Sequence, residues 1–215
     1  MEVADEHAVL VLIHRELEGE LVKARQEAGK KSQTTWPWEP ARQRQADTFA
    51  TFDLKLNPGM QAAYRAAKAV AEGEQPLAFL VGASGLGKTH LGIAAANAWP
   101  ACSRFARVRE LLNVMRQMVG ANRDALTAAQ EFYGRCMADH EQSDHLLVLD
   151  DLGAHYDTPW VRDALFALID WRIDEGLPTV VTSNADQGDF DAPVVSRLRG
   201  GLVVCQGTNQ WGLGA

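Results

Sequence analysis

A chain of 215 residues, 47% hydrophobic and 23% charged, has the composition of an ordinary soluble globular protein and is long enough for one α/β domain with a small extension. Its formal net charge of −7 argues against a protein that coats DNA through overall charge, leaving room only for a local basic patch. Cys102, Cys136 and Cys205 are far apart and lack metal-site spacing, which disfavours zinc. No apolar run approaches the roughly 20 residues needed to cross a bilayer, and Glu2, Asp5 and Glu6 open the chain where a targeting segment would be basic, so a cytoplasmic protein is expected.

Residues 5 to 31 read as a helix. Leu10, Ile13, Leu17, Leu21, Ala24 and Ala28 recur at steps of three and four and form one apolar stripe, with charged residues around the rest. Such a helix packs on its own domain, pairs with a second copy, or docks on a partner protein. Residues 32 to 47 change character: Trp36-Pro37-Trp38-Glu39-Pro40 with polar flanks reads as a linker. From residue 48 an ATP-binding domain is expected, running to the end of the chain. Phe49 and Phe52 lie at its start, either across a nucleotide base or simply in the core. Met60 to Glu72 is an alanine-rich helix closed by Gly73.

The chain then becomes specific. The apolar strand Leu77-Ala78-Phe79-Leu80-Val81 runs into Gly82-Ala83-Ser84-Gly85-Leu86-Gly87-Lys88-Thr89, followed by a helix that begins at His90-Leu91-Gly92-Ile93. This fits the phosphate-binding loop G-x-x-x-x-G-K-[ST] without mismatch and in the context that the motif requires. Glycines let the backbone turn its N–H groups toward a triphosphate at a helix N-terminus. Lys88 can reach the β and γ phosphates as a point charge, and Thr89 supplies a hydroxyl for the Mg²⁺ that rides on the nucleotide. The cofactors expected are ATP and Mg²⁺, with residues 82 to 90, His90 included, forming the binding loop.

Ser103 to Val108 alternates as a second strand should, and a helix follows from Arg109 to Val119. Arg104, Arg107, Arg109, Arg116 and Arg123 share this stretch with a single acid, Glu110. They form either a solvated basic face or a contact for single-stranded DNA. Leu146-Leu147-Val148-Leu149-Asp150-Asp151 is a continuous apolar strand ending in two carboxylates, and such a run implies burial on both faces of a parallel sheet. Its acids emerge at the carboxyl end, where ligands sit in open α/β sheets. Asp150 is suited to Mg²⁺ through water, and Asp151 to orienting the attacking water. A helix from Pro159 to Asp174 leads to a further buried strand, Thr179 to Thr182, ending Ser183-Asn184. Asn184 either hydrogen-bonds the water or γ phosphate or caps a turn. Val194 to Gly201 precedes the last apolar strand, Leu202 to Cys205.

With Gly82 to Leu91, Asp150-Asp151-Leu152-Gly153, Thr182-Ser183-Asn184 and Ser196-Arg197-Leu198 in this order, the chain resembles the AAA+ ATPases of the DnaC and IstB group, helicase loaders and transposition helpers, over residues 48–211. The resemblance implies a P-loop AAA+ domain: a five-stranded parallel sheet flanked by helices, here with a short N-terminal helical extension and no separate lid domain. It makes Asn184 the polar sensor and Arg197 an arginine finger that reaches into the site of a neighbouring subunit, so that ATP joins the copies of a homo-oligomer. It also implies contact with single-stranded DNA near Arg107, Arg109, Arg116 and Arg123, and a replicative DNA helicase as partner, engaged through the N-terminal portion. An IstB-like helper acting with a transposase on duplex DNA is the alternative. Trp211 is followed by Gly212-Leu213-Gly214-Ala215, without the arginine of a second sensor, so slow turnover is expected. A small-molecule kinase would leave the Thr-Ser-Asn and Ser-Arg-Leu elements without a role.

Overall fold

The computed structural model describes residues 46–100, 103–111, 146–153, 159–184 and 192–207. The helix expected over residues 5 to 31, the linker up to residue 45, Arg116, Arg123 and Trp211 lie outside the described residues.

A 3-10 turn, Pro58–Met60, leads into α1, Gln61–Ala71. It is followed by β1, Leu77–Val81, and by α2, Lys88–Ala98. Next come β2, Ser103–Arg107, and β3, Leu146–Asp150. The remaining elements among the described residues are α3, Pro159–Asp174, β4, Thr179–Ser183, α4, Ala192–Leu198, and β5, Leu202–Val204. The five strands form one sheet in the order β2-β3-β4-β1-β5, every pair parallel. The expected five-stranded parallel sheet with flanking helices is therefore the observed architecture.

Continuous apolar runs make these strands because alternate side chains leave opposite faces and both faces are covered. Phe79, Val81, Leu147, Leu149 and Val181 join Leu165, Leu168 and Ile169 of α3 and Val194 and Leu198 of α4 in one core. The intervening residues, Ala78, Leu80, Leu146, Val148 and Val180, form a second core with Met60, with Ala63 and Ala67 of α1 and with Leu91, Ile93 and Ala95 of α2. Gly92 lets α2 lie this close: a Cβ there would stand 2.9 Å from Val148 Cγ1.

One burial pattern and three strand ends differ from the sequence reading. β2 does not alternate in burial, because Phe105 and Ala106 are both buried, one in each core, between layers of helices. It stops at Arg107, and the chain is already helical at residue 108. β3 ends at Asp150, since Asp151 turns out of the ladder with φ +61°. β5 ends at Val204, and Cys205 instead donates its N–H to Val81 O. At the opposite edge of the sheet the Arg172 guanidinium is buried and donates to Thr179 Oγ1 at 3.0 Å and Pro178 O at 2.9 Å, fastening the end of α3 to the start of β4.

Candidate functional site

Parallel strands present their carboxyl ends on one edge, so Gly82 after β1, Arg107 at the end of β2, Asp150 at the end of β3 and Ser183 at the end of β4 meet there. Each is placed by its strand, and the glycine loop continues from the end of β1. Gly82 passes so near the chain after β5 that a Cβ would stand 2.5 Å from Cys205 O. Gly87 caps α2 with φ +94°, a conformation that L side chains rarely take. A Cβ there would also meet Phe52 at 2.7 Å.

Lys88 is buried at the first turn of α2, and its ammonium donates to Gly82 O at 2.7 Å and Ala83 O at 2.6 Å. The cation is thus held inside the loop, beside the helix N-terminus where phosphates bind. Burial lowers its pKa, opposed by Cys205, Asp150 and Asp151. Burial likewise pushes the Cys205 thiol up to about 11, against the pull of Lys88, so this cysteine is a packed thiol and not a nucleophile.

The two acids are held differently. Asp150 is 4% exposed, and its Oδ1 accepts from Thr89 Oγ1 and from Thr182 Oγ1, each at 2.8 Å. Burial raises its pKa, while those two hydroxyls and Arg107 work in the other direction. Asp151 is exposed, and its left-handed backbone is secured at the N–H, which donates to Thr182 Oγ1 at 3.0 Å. Asn184 Nδ2 donates to Asp151 Oδ1 at 2.6 Å. This contact with the Asp151 carboxylate is neither of the two roles expected for Asn184 from the sequence. Thr89 and Asp150 together offer hard oxygen ligands next to an anion-binding loop, a donor set that fits Mg²⁺ arriving with a nucleotide.

The other sequence-predicted residues among those described have different neighbours. The His90 side chain turns to the segment before α1: its Nε2 lies 2.9 Å from Thr48 O, its Nδ1 3.7 Å from Asp47, and its ring is edge-on to Phe52. Phe49 and Phe52 pack edge-on and tilted against Tyr64. Arg197 lies on α4 against α3, paired with Asp170 and with Asp174 at 3.1 Å. Arg109 is exposed, whereas Arg107 stands level with Asp150 in the β2–β3 register and reaches Glu110 at 3.4 Å.

Thr182 escaped the sequence reading, although it lies two residues before Asn184 in the Thr-Ser-Asn element. Its hydroxyl serves both acids at once. The signal available was a hydroxyl residue at the end of a buried strand, but only strand order reveals that this strand is the neighbour of Asp150.

Residues 44–205 match the family described as the bacterial DnaA ATPase domain. Among solved structures, the chain is similar to DnaI at 26% identity over 79% of this chain and 93% of that one, with a TM-score of 0.60. It is also similar in fold to the DnaC helicase loader, at 20% identity over 77% of this chain and 99% of that one, with a TM-score of 0.60. A third likeness in fold is to the replication initiator DnaA bound to AMPPCP and single-stranded DNA, at 20% identity and a TM-score of 0.62, with 77% of this chain and 51% of that one covered. The chain thus spans about half the length of that initiator. No curated protein sequence matches the chain.

Proposed function

The chain belongs to the bacterial DnaA ATPase-domain family, and from that premise we propose that it is an assembly factor of DNA replication that loads the replicative helicase onto single-stranded DNA under control of ATP. It is an AAA+ ATPase, and nucleotide binding is the part of this reading that the family supports most directly. The observation that carries the reading is the cluster in which Lys88, Thr89, Asp150, Asp151 and Asn184 converge at one edge of the sheet.

In this reading the loop N–H groups and Lys88 bind the phosphates, and Thr89 and Asp150 hold Mg²⁺. When bound, that ion neutralises charge on the phosphate oxygens. Asp151 orients the attacking water, with its carboxylate aimed by Asn184. Arg197 stabilises developing charge at the site of an adjacent copy, which makes nucleotide a bridge in a homo-oligomer. The basic stretch containing Arg107, Arg109, Arg116 and Arg123 contacts single-stranded DNA, and residues 1 to 31 dock on the helicase. Among the described residues no helix is long and apolar enough to cross a membrane. The replication family favours this assignment over the transposase alternative.

The test is capture from native extract with tagged Asp151→Asn protein, which holds ATP without splitting it. Recovery of the replicative helicase with ATP and Mg²⁺, lost with Lys88→Ala, is the expected result. Recovery of a transposase instead would overturn the loader reading.

A further inference from the structure

The ladder between β3 and β4 ends at the pair Leu149↔Val181. One residue further along β4, a side chain takes over from the backbone. Thr182 is 2% exposed, and its hydroxyl lies between the two acids. Its single proton goes to Asp150 Oδ1 at 2.8 Å, and its oxygen accepts the Asp151 N–H at 3.0 Å. The same short stretch makes two more ties to the turn after β3: Leu152 N–H donates to Thr182 O at 2.8 Å, and Ser183 Oγ donates to Leu152 O.

The two ties act on different things. The bond to Asp150 fixes a carboxylate by its Oδ1, which already accepts from Thr89. The bond from Asp151 captures a backbone N–H exactly where the chain leaves the ladder, at a non-glycine residue with φ +61°. A left-handed backbone at a non-glycine residue costs of order 1 kcal/mol or more unless its surroundings fix it. The direction in which the Asp151 side chain leaves the main chain follows from that conformation.

We infer that Thr182 is a positioning residue, whose hydroxyl sets the orientation of Asp150 and Asp151 together and so couples the Mg²⁺ ligand to the group that orients water. The inference rests on the reading of those two acids given above. Thr182 lies beneath them and acts through them.

A packing role for the same residue predicts something different. The Thr182 methyl points toward α2, where it lies 3.7 Å from the Cβ position of Gly92. If packing were all that mattered, Thr182→Val would be harmless and Thr182→Ser, which loses the methyl, would be the damaging change. Positioning predicts the reverse order.

The experiment is steady-state ATP hydrolysis and equilibrium nucleotide binding on the full chain for wild type, Thr182→Val, Thr182→Ser and Asp151→Asn, with thermal melting of each. The expected result for Thr182→Val is a kcat about 10- to 100-fold lower, the range found when a group that orients a ligand is removed. Its ATP affinity and KM should stay within about threefold, because the phosphate loop is untouched, and Thr182→Ser should recover most of kcat. Should the valine protein fail to fold, Thr182→Ala removes the same hydroxyl without crowding. Wild-type kcat in the folded valine or alanine protein, beside an inactive Asp151→Asn, overturns the inference and leaves the site intact. Full turnover by Asp151→Asn overturns the reading of the acids, and the inference falls with it.

Discussion

Arg197 Nη1 lies 3.1 Å from Asp174 Oδ1, and the same guanidinium meets Asp170, so α4 is clipped to α3 by one arginine and two carboxylates. The Asp170 side chain is 27% exposed, whereas that of the arginine is 41% and that of Asp174 57%, so the Asp174 arm of the clip stands in water. Ion pairs of this kind contribute little, typically under about 1 kcal/mol. The guanidinium can therefore leave Asp174 for a stronger anion at small cost, and Asp170 is the partner that holds it more firmly.

Arg197→Ala is expected to keep ATP affinity and melting temperature close to wild type while turnover collapses. An arginine supplied from a neighbour is worth about 10³ to 10⁵ in phosphoryl transfer elsewhere. Mixing Arg197→Ala with Asp151→Asn protein should partly restore hydrolysis, because each subunit then supplies what the other lacks. No recovery at any mixing ratio would sink action in trans.

Lys88→Ala should abolish tight ATP binding, as measured by calorimetry, because the phosphates lose their buried cation. The fold should survive. Burial lowers the pKa of Lys88, which means that the charged form is less comfortable folded than unfolded. Its protonation therefore penalises folding at neutral pH, and the penalty lifts as pH climbs toward the unfolded lysine value of about 10.4. A variant that loses binding because it has unfolded would not fit this account.

Asp150 carries a penalty of opposite pH dependence. Its folded pKa is raised, chiefly by burial, so between the unfolded value of about 3.9 and that higher folded value the native state binds more protons than the unfolded one. Stability from this group falls as pH rises through that window. Asp150→Asn should consequently raise the melting temperature at pH 7, with the advantage fading as the pH approaches about 4. The same substitution should weaken Mg²⁺-dependent nucleotide binding. A variant less stable than wild type at pH 7 would show that its hydrogen bonds to Thr89 and Thr182 outweigh desolvation.

Gly92→Leu should destabilise the domain by about 1–3 kcal/mol, the usual cost of forcing atoms into a packed core. Even its Cβ would stand 2.9 Å from Val148 Cγ1, so α2 must move away from the sheet. For a chain of this size the loss corresponds to a melting temperature lower by roughly 2–4 °C per kcal/mol. ATP affinity should fall as well, because Lys88 and the loop ride on the first turn of the same helix. Unchanged melting would mean that the layer has slack at this point.

The phosphate loop, the strand leading into it and the two acids at the end of β3 were legible in the sequence because each is locally encoded. Glycines at Gly82, Gly85 and Gly87 and a lysine at Lys88 announce a loop whose dihedrals only glycine adopts freely. Runs such as Leu146 to Leu149 declare a strand covered on both sides. What no local pattern contains is which strand lies beside which. Tertiary packing inserts β4 between β1 and β3, and that placement alone brings Thr182 between Asp150 and Asp151 and aims Asn184 at the second acid. It also turns the His90 side chain toward Thr48 and Phe52, and pairs Arg197 with α3. The sequence by itself determined the chemistry that each strand end carries; only the closing of the sheet under its two helical layers decided which of those groups touch, because contacts between residues distant in the chain depend on how whole faces pack.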